Sequence, residues 1–278
     1  MPTQAEKAAQ FKALHQGPDV LVIANPWDAG SARLLAGLGF KALSTTSAGL
    51  AFSLGRRDGT KSVSRDEALA NARAIADATS LPVAADLENG YGDSPEAAAE
   101  TIRLAAQSAG LVGASIEDAT GDPARPIYDF HLAVERIAAA SAAARALPFP
   151  FMLVGRAENF LHGRPHLDDT IRRLQAYESA GAEVLYAPGI TRPEDIRTVC
   201  ASVSKPVNIL VGLKEPPSLS VRELGALGVR RISLGSGFCR AALTAFHHAA
   251  REVIDHGTFT FAEQTLYMSE LVNLFAPE

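Results

Sequence analysis

The sequence predicts a (β/α)8 (TIM) barrel carrying an extra C-terminal helix. Eight short, near-continuously apolar runs alternate with longer Ala-rich helical stretches over 278 residues. Several of the helical stretches stop at glycine, and no Gly-rich dinucleotide fingerprint follows the first run. Parallel strands buried on both faces read as unbroken apolar runs, and strict βα alternation is the pattern of a barrel.

The predicted strands are Val20–Asn25, Ala42–Thr46, Pro82–Asp86, Val112–Glu117, Phe151–Arg156, Val184–Ala187, Val207–Val211 and Arg231–Gly235. Helical periodicity is clearest over Asp66–Thr79, Pro95–Gly110, Phe130–Arg145, Leu167–Gly181, Pro193–Val203 and Val221–Gly228. Gly110, Gly181 and Gly228 mark helix C-termini. An open doubly wound sheet would place G-x-G-x-x-G after its first strand. Here that strand runs into Asn25-Pro26-Trp27-Asp28-Ala29-Gly30. The expectation is one barrel domain over 1–278, with 258–278 as a C-terminal helical extension. Thr258–Phe275 reads as an amphipathic helix rich in Phe, Leu and Met, packed on its own barrel or on a neighbouring subunit.

Composition excludes several classes. The net charge is −5 and basic residues are scattered, so no nucleic-acid surface is expected. No apolar run nears the roughly 20 residues of a membrane span, and the polar N-terminus lacks a signal-peptide core. A cytoplasmic location is expected. Two distant cysteines, Cys200 and Cys239, offer neither a disulfide framework nor zinc spacing and read as small buried hydrophobes.

Barrel chemistry sits at the C-terminal ends of strands. Unusual polar residues fall there: Asn25 and Asp28, Ser44 to Gly49, Asp86 to Gly90, Glu117-Asp118, Arg156 with Glu158-Asn159, and Asn208. A lone carboxylate at a strand end commonly caps the next helix, the reading given to Asp28 and Asp118. Asp86, Glu88 and Glu117 differ, because three carboxylates converging from adjacent strands repel unless a cation neutralises them. Oxygen ligands without histidine suit Mg²⁺ or Mn²⁺. Arg156 would face the same mouth as a fixed cation for an oxyanion. The Ser47-Ala48-Gly49 turn could bind a carboxylate through backbone N–H groups and the hydroxyl. His162 and His166, after strand five, could reach the mouth; the other histidines fall on helices, and Trp27 reads as packing.

These stretches together resemble the isocitrate lyase/phosphoenolpyruvate mutase superfamily. The resemblance rests on Asn25-Pro26-Trp27-Asp28-Ala29, Ser44 to Gly49, Asp86-Leu87-Glu88-Asn89-Gly90-Tyr91-Gly92, Ile116-Glu117-Asp118, Gly155-Arg156 and Val207-Asn208. It implies Asp86 as principal Mg²⁺ ligand, with Glu88 and Glu117 holding metal-bound waters. It implies Ser47, Ala48 and Gly49 on the substrate carboxylate, Arg156 on the substrate oxygens and enolate, Asn208 beside the substrate, and Asp58 as a further carboxylate near the site. It also implies a last helix exchanged between subunits of a homodimer or homotetramer.

The departures are informative. Relatives that cleave isocitrate or methylisocitrate carry a Cys acid/base in the loop after strand four; here the loop is Ala119-Thr120-Gly121-Asp122-Pro123-Ala124-Arg125-Pro126. The Lys and Asn of phosphonate-acting relatives are missing there too, and Pro188 stands where methylisocitrate-cleaving relatives have Glu. Loss of CO2 from a 2-oxo acid needs a Lewis acid but no base to begin, whereas retro-aldol cleavage needs a base. The expectation is therefore a Mg²⁺-dependent carbon–carbon lyase on an oxaloacetate-like 2-oxo acid. The alternatives are phosphonopyruvate hydrolysis or phosphoenolpyruvate mutation, isocitrate-type cleavage with a substitute base such as Asp58 or Tyr91, and a non-catalytic 2-oxo acid binder.

Overall fold

The computed structural model describes residues 1–212 and 219–275. Its elements in chain order are α1 (Gln4–Gln16), β1 (Leu21–Ile23), α2 (Ala29–Gly37), β2 (Leu43–Ser44), α3 (Ser47–Ser53), α4 (Arg65–Asp77) and β3 (Val83–Asp86). Then come α5 (Pro95–Ala109), β4 (Gly113–Glu117), α6 (Phe130–Arg145), β5 (Met152–Arg156), α7 (Leu167–Ser179), β6 (Val184–Tyr186) and α8 (Pro193–Ala201). The chain ends with β7 (Val207–Leu210), α9 (Val221–Ala226), β8 (Arg231–Ser233), α10 (Gly237–His256), a 3-10 turn at Thr260–Gln264 and α11 (Met268–Leu274).

All eight strands pair in parallel, in the order β1-β8-β7-β6-β5-β4-β3-β2. The β1/β2 seam closes the ring through the single bridge Ala24↔Leu43. With so few ladder bonds at that seam, the buried Asn25 side chain completes it. Its amide N–H donates to the carbonyls of Ser44 at 3.0 Å and Thr45 at 3.1 Å. Its oxygen accepts from Leu234 and Gly235 N–H, both at 2.9 Å. Asn25 thus ties β1 to β2 on one side and to the end of β8 on the other.

Strand alternation divides the core in two. Ala85, Ile116, Leu153 and Ile232 face outward and pack against the helices, in a shell with Ile102, Ile137 and Leu174. Ala84, Val154, Val184 and Tyr186 point inward, and with Val112, just ahead of β4, they meet Ala8 and Phe11 of α1, which plugs the barrel floor. Helix α1 has no apolar stripe that periodicity would detect. A Thr3/Glu6 capping box starts it, and tertiary packing of Phe11 secures it.

The predicted helix ends hold. Gly110 terminates α5 with φ 70°, and Gly181 and Gly228 follow α7 and α9 with φ near 100°, a region open to glycine without the Cβ penalty. Asp28 caps α2, accepting the Ser31 N–H at 2.7 Å. The expected helix over 258–275 is instead two short pieces. Thr265 is extended between them, while the Glu252 carboxylate accepts from the backbone of Thr260 and Phe261 and pins the first piece to α10. Residues 276–278 of the predicted extension lie outside the described residues. α11 packs on α2 of its own barrel. Among the described residues no helix is long and apolar enough to cross a membrane.

Candidate active site

The mouth is built from the C-terminal ends of β2 to β5. Glu117 and Arg156 end β4 and β5 in register, so the two side chains emerge side by side. The Arg156 guanidinium lies 3.2 Å from Glu117 and 3.4 Å from Asp86, and its Nε donates to Glu158. Beneath it, the Tyr186 ring centroid is 5.1 Å away. One guanidinium thus serves three carboxylates from three places in the chain.

Asp86 is held from the other side by α3. The Ser47 hydroxyl donates to Asp86 Oδ2 at 2.9 Å, and the Ser47 N–H lies at 3.4 Å. The expected Ser47-Ala48-Gly49 turn is therefore the first turn of a helix, with Thr46 as its cap. Gly49 is required by packing: a Cβ there would lie 2.6 Å from Thr46 Cγ2 and 2.9 Å from Trp27 Cβ.

Glu88 occupies a left-handed conformation, φ 47°, in a turn with Gly90 and Tyr91 that also have positive φ. Such backbone persists only where the surroundings over-determine it. Here Arg136, buried at 1% exposure, donates to the Asn89 carbonyl, to Gly92 O at 2.7 Å and to Ser94 O at 3.2 Å. Thr101 fixes Gly90 O at 2.7 Å. The Glu88 N–H itself points back to Asp86 Oδ1 at 3.3 Å.

The electrostatics show an excess of negative charge. Burial, then Asp86 and Asp58, push Glu88 up to about 7. Burial raises Glu117 well above the carboxylate range against the pull of Arg156, and Glu158 is raised for the same reason. Burial alone would lower Arg156, yet Glu117, Glu158 and Asp86 together hold it firmly charged. Crowded carboxylates with a single central cation are the environment a dication relieves. The donors are all oxygen, which suits Mg²⁺ or Mn²⁺. Among the described residues no three of His, Cys, Asp and Glu stand close enough to ligate one ion together. An ion among Asp86, Glu88 and Glu117 would thus need water to complete its shell, as Mg²⁺ accepts.

Of the sequence-predicted residues, Ser47, Asp86, Glu88, Glu117 and Arg156 converge. Asp58 stands on the loop after α3 without a side-chain hydrogen bond to them; exclusion of water and then Asp86 raise its pKa. Asn208 lies inside the barrel, 1% exposed, donating to the Ser233 hydroxyl at 2.9 Å. His162 Nε2 is 3.8 Å from Glu158, and His166 precedes α7 without capping it.

Asp118 is a correction. It caps no helix; it is 3% exposed and accepts from Tyr177 at 2.6 Å, Arg173 at 2.9 Å and the Glu158 N–H at 2.8 Å. The roles of Glu158, Arg136 and Tyr186 also escaped sequence reasoning. For Glu158 a signal existed, since Arg156-Ala157-Glu158 places a carboxylate two residues beyond the strand-end arginine.

Residues 11–254 match the family described as phosphoenolpyruvate phosphomutase. The chain belongs to that family, within the phosphoenolpyruvate mutase/isocitrate lyase superfamily. A crystal structure from Burkholderia cenocepacia J2315, described only at the level of lyase/mutase, is 55% identical with a TM-score of 0.95, covering 99% of this chain and 97% of that one. Oxaloacetate acetylhydrolase in complex with oxalate superposes with a TM-score of 0.87 at 26% identity, covering 99% and 95%. An uncharacterized Mycobacterium tuberculosis protein (strain ATCC 25618 / H37Rv), Rv1998c, is 33% identical, covering 88% of this chain and 89% of its own. The 2-methylisocitrate lyase of Escherichia coli K12 is 30% identical (89% and 84%). The oxaloacetate decarboxylase of Marinomonas sp. MWYL1 is 27% identical (97% and 91%). Members of this superfamily are lyases and mutases, and the chain is an enzyme of that group.

Proposed function

We propose that this chain, acting as one barrel domain with 258–278 as its extension, is a Mg²⁺-dependent carbon–carbon lyase. Its substrate is a small 2-oxo acid, and its reaction is decarboxylation of an oxaloacetate-like compound. The observation that carries the proposal is the Arg156 guanidinium between Asp86 and Glu117 at the barrel mouth. Relatives named oxaloacetate decarboxylase and a structural neighbour with bound oxalate support the substrate class.

Asp86 would hold the cation directly, with Glu88 and Glu117 acting through water. When bound, the ion supplies Lewis acidity to the keto oxygen of the substrate. Ser47 and the Ala48 N–H at the start of α3 bind the substrate carboxylate, with the Gly49 N–H shared between it and the Thr46 hydroxyl at 3.3 Å. Arg156 stabilises negative charge as it develops on the enolate oxygen. Glu158 and Tyr186 hold Arg156 in place, and Asn208 closes the pocket from below. No residue is required to take a proton before CO2 leaves. The enolate then accepts one proton at C3, and Asp58 stands on the open side of the site where solvent protons arrive.

The test is oxaloacetate decarboxylation followed directly, with oxalate binding measured in parallel. EDTA should abolish both and Mg²⁺ or Mn²⁺ should restore both, while Asp86→Ala should be inert to added metal. Wild-type oxalate affinity in Asp86→Ala would place the ion elsewhere and sink the proposal.

A further inference from the structure

A second cleft leads away from the mouth, and in its far part cations outnumber carboxylates. Lys61, Arg65, Asp66, Glu88, Tyr91 and Asp93 line a cavity of about 560 Å³. Lys61 and Asp93 also line the adjoining cavity of about 740 Å³, together with Arg125, Tyr128 and Arg164. A ligand anchored beside Glu88 therefore has open space running to Lys61 and Arg164.

The acids of the larger cavity are already engaged. Asp93 accepts from the Tyr128 hydroxyl at 2.6 Å, Asp122 faces Arg125 at 3.8 Å, and Asp129 caps α6 through the Leu132 N–H at 3.1 Å. Arg173 is paired with Asp118 and Asp169. Lys61 and Arg164 remain, and neither forms an ion pair among the described residues. Lys61 is also held in an unusual posture: its φ is 54°, and its aliphatic stem lies against Gly121 of the loop after β4. From there its charge acts on Glu88 at the mouth.

Resting on the reading of the mouth as a 2-oxo acid site, we infer that Lys61 and Arg164 form an anion subsite for the far carboxylate of an elongated substrate. The chain then takes 2-oxo acids whose skeleton carries a second acid group beyond the reacting carbons. The placement is chemically consistent with decarboxylation. A cation over the departing carboxylate would oppose its loss, whereas cations along a side cleft bind a carboxylate that stays.

The experiment is calorimetric binding in Mg²⁺ to the full chain, with two pairs of ligands matched in carbon number. One pair is 2-oxovalerate and 2-oxoglutarate, the other 2-oxohexanoate and 2-oxoadipate, with oxalate as the ligand that reaches the mouth alone. At least one diacid should bind about tenfold tighter than its uncharged partner, as two partly exposed charge pairs allow. That increment should shrink with added salt. In the Lys61→Met/Arg164→Met double variant it should fall below about twofold, while oxalate, which feels Lys61 only through Glu88, still binds. Methionine keeps an aliphatic stem on Gly121 and removes only the charge. Equal affinities within both pairs, or an increment that survives in the double variant, overturns the subsite and leaves the mouth intact. Failure of oxalate to bind the wild type takes down the reading of the mouth, and the subsite with it.

Discussion

The Tyr177 hydroxyl donates a 2.6 Å hydrogen bond to Asp118 Oδ2, joining α7 to the end of β4 beneath the candidate site. Arg173, one helical turn earlier, donates to the same oxygen at 2.9 Å. The other oxygen of Asp118 receives the Glu158 N–H at 2.8 Å. Burial raises the Asp118 pKa in spite of these partners, so the network is held together by completeness rather than by surplus attraction. Asp118 fixes the backbone of Glu158, Glu158 holds Arg156, and Arg156 gathers Asp86 and Glu117.

Breaking this network should cost stability in proportion to what is left unpaired. Asp118→Ala leaves the Glu158 N–H without its acceptor and the Arg173 guanidinium with only Asp169 and the Tyr128 carbonyl, a loss toward the lower end of the about 3–5 kcal/mol that removal of one partner of a buried ion pair costs. Tyr177→Phe removes one donor and leaves Asp118 with its other partners, a loss of about 1–2 kcal/mol. Urea unfolding of the two variants gives both numbers. Equal losses would show that the Arg173 contact contributes little.

Much of this site was legible in the sequence. Asp86, Glu88, Glu117 and Arg156 stood out because each breaks an apolar run at a strand end, where a barrel exposes its chemistry. All eight strands could be placed for the same reason. Asp118 was not legible as a network residue, because its partners Arg173 and Tyr177 are distant in sequence and only the barrel brings them together. Helix α1 escaped because its hold on the fold is one phenylalanine in the barrel floor rather than a periodic stripe. The break at Thr265 escaped because Glu252 imposes it from the preceding helix.

Helix α1 also carries an acid-sensitive contact. His15 is buried, with Nδ1 on the Phe11 carbonyl at 2.8 Å and its ring edge-on to Phe11. Burial, then the charge of Arg231, lower its pKa to about 4. An unfolded histidine titrates near 6.5. The unfolded chain therefore takes up a proton as pH falls below about 6.5, and the folded chain refuses it until about 4. Stability should decline across that window as acidity rises, by up to roughly 3 kcal/mol for the whole shift. His15→Phe should flatten this part of the profile, read from chemical denaturation at a series of pH values. A wild-type profile as flat as the variant's between pH 6.5 and 4 would mean that His15 is protonated in the fold.

Helix α10 has 20 residues, and Cys239 is its sole buried one among the described residues. Phe246 is 72% exposed and Ile254 74%, and they adjoin a C-terminal segment where Phe259, Tyr267 and Met268 are also open to solvent. An apolar surface this continuous seldom stays in water. The expected state is a homodimer or homotetramer that covers this face. Truncation after Gly257 should give a monomeric or aggregating protein with a lowered melting temperature. Light scattering at micromolar concentration decides the matter, because a monodisperse full-length monomer contradicts it.

The final prediction concerns which bond breaks. The loop from Ala119 to Pro126 contains no cysteine, lysine or histidine, and its two ends are joined by the Thr120 N–H on Pro126 O at 2.9 Å. Isocitrate and methylisocitrate, whose cleavage begins with loss of a hydroxyl proton, should be poor substrates. Oxaloacetate should be turned over faster, since its C3–C4 bond needs electron withdrawal rather than a base. The rate should then depend on Arg156 more than on any residue of the loop. Loss of a charged donor facing a developing oxyanion commonly costs 10²–10³ in rate, roughly 3–4 kcal/mol. Arg156→Ala should lose about that much in kcat. Arg125→Ala should lose less than about tenfold, because Arg125 is exposed and its pairing with Asp122 is long and screened. Comparison of kcat/KM for oxaloacetate and isocitrate across the wild type and both variants makes the decision. Isocitrate turnover well above that of oxaloacetate would mean that another base has replaced the cysteine. His162, 3.8 Å from Glu158, and Tyr91, in the left-handed turn after Glu88, would be the first to substitute.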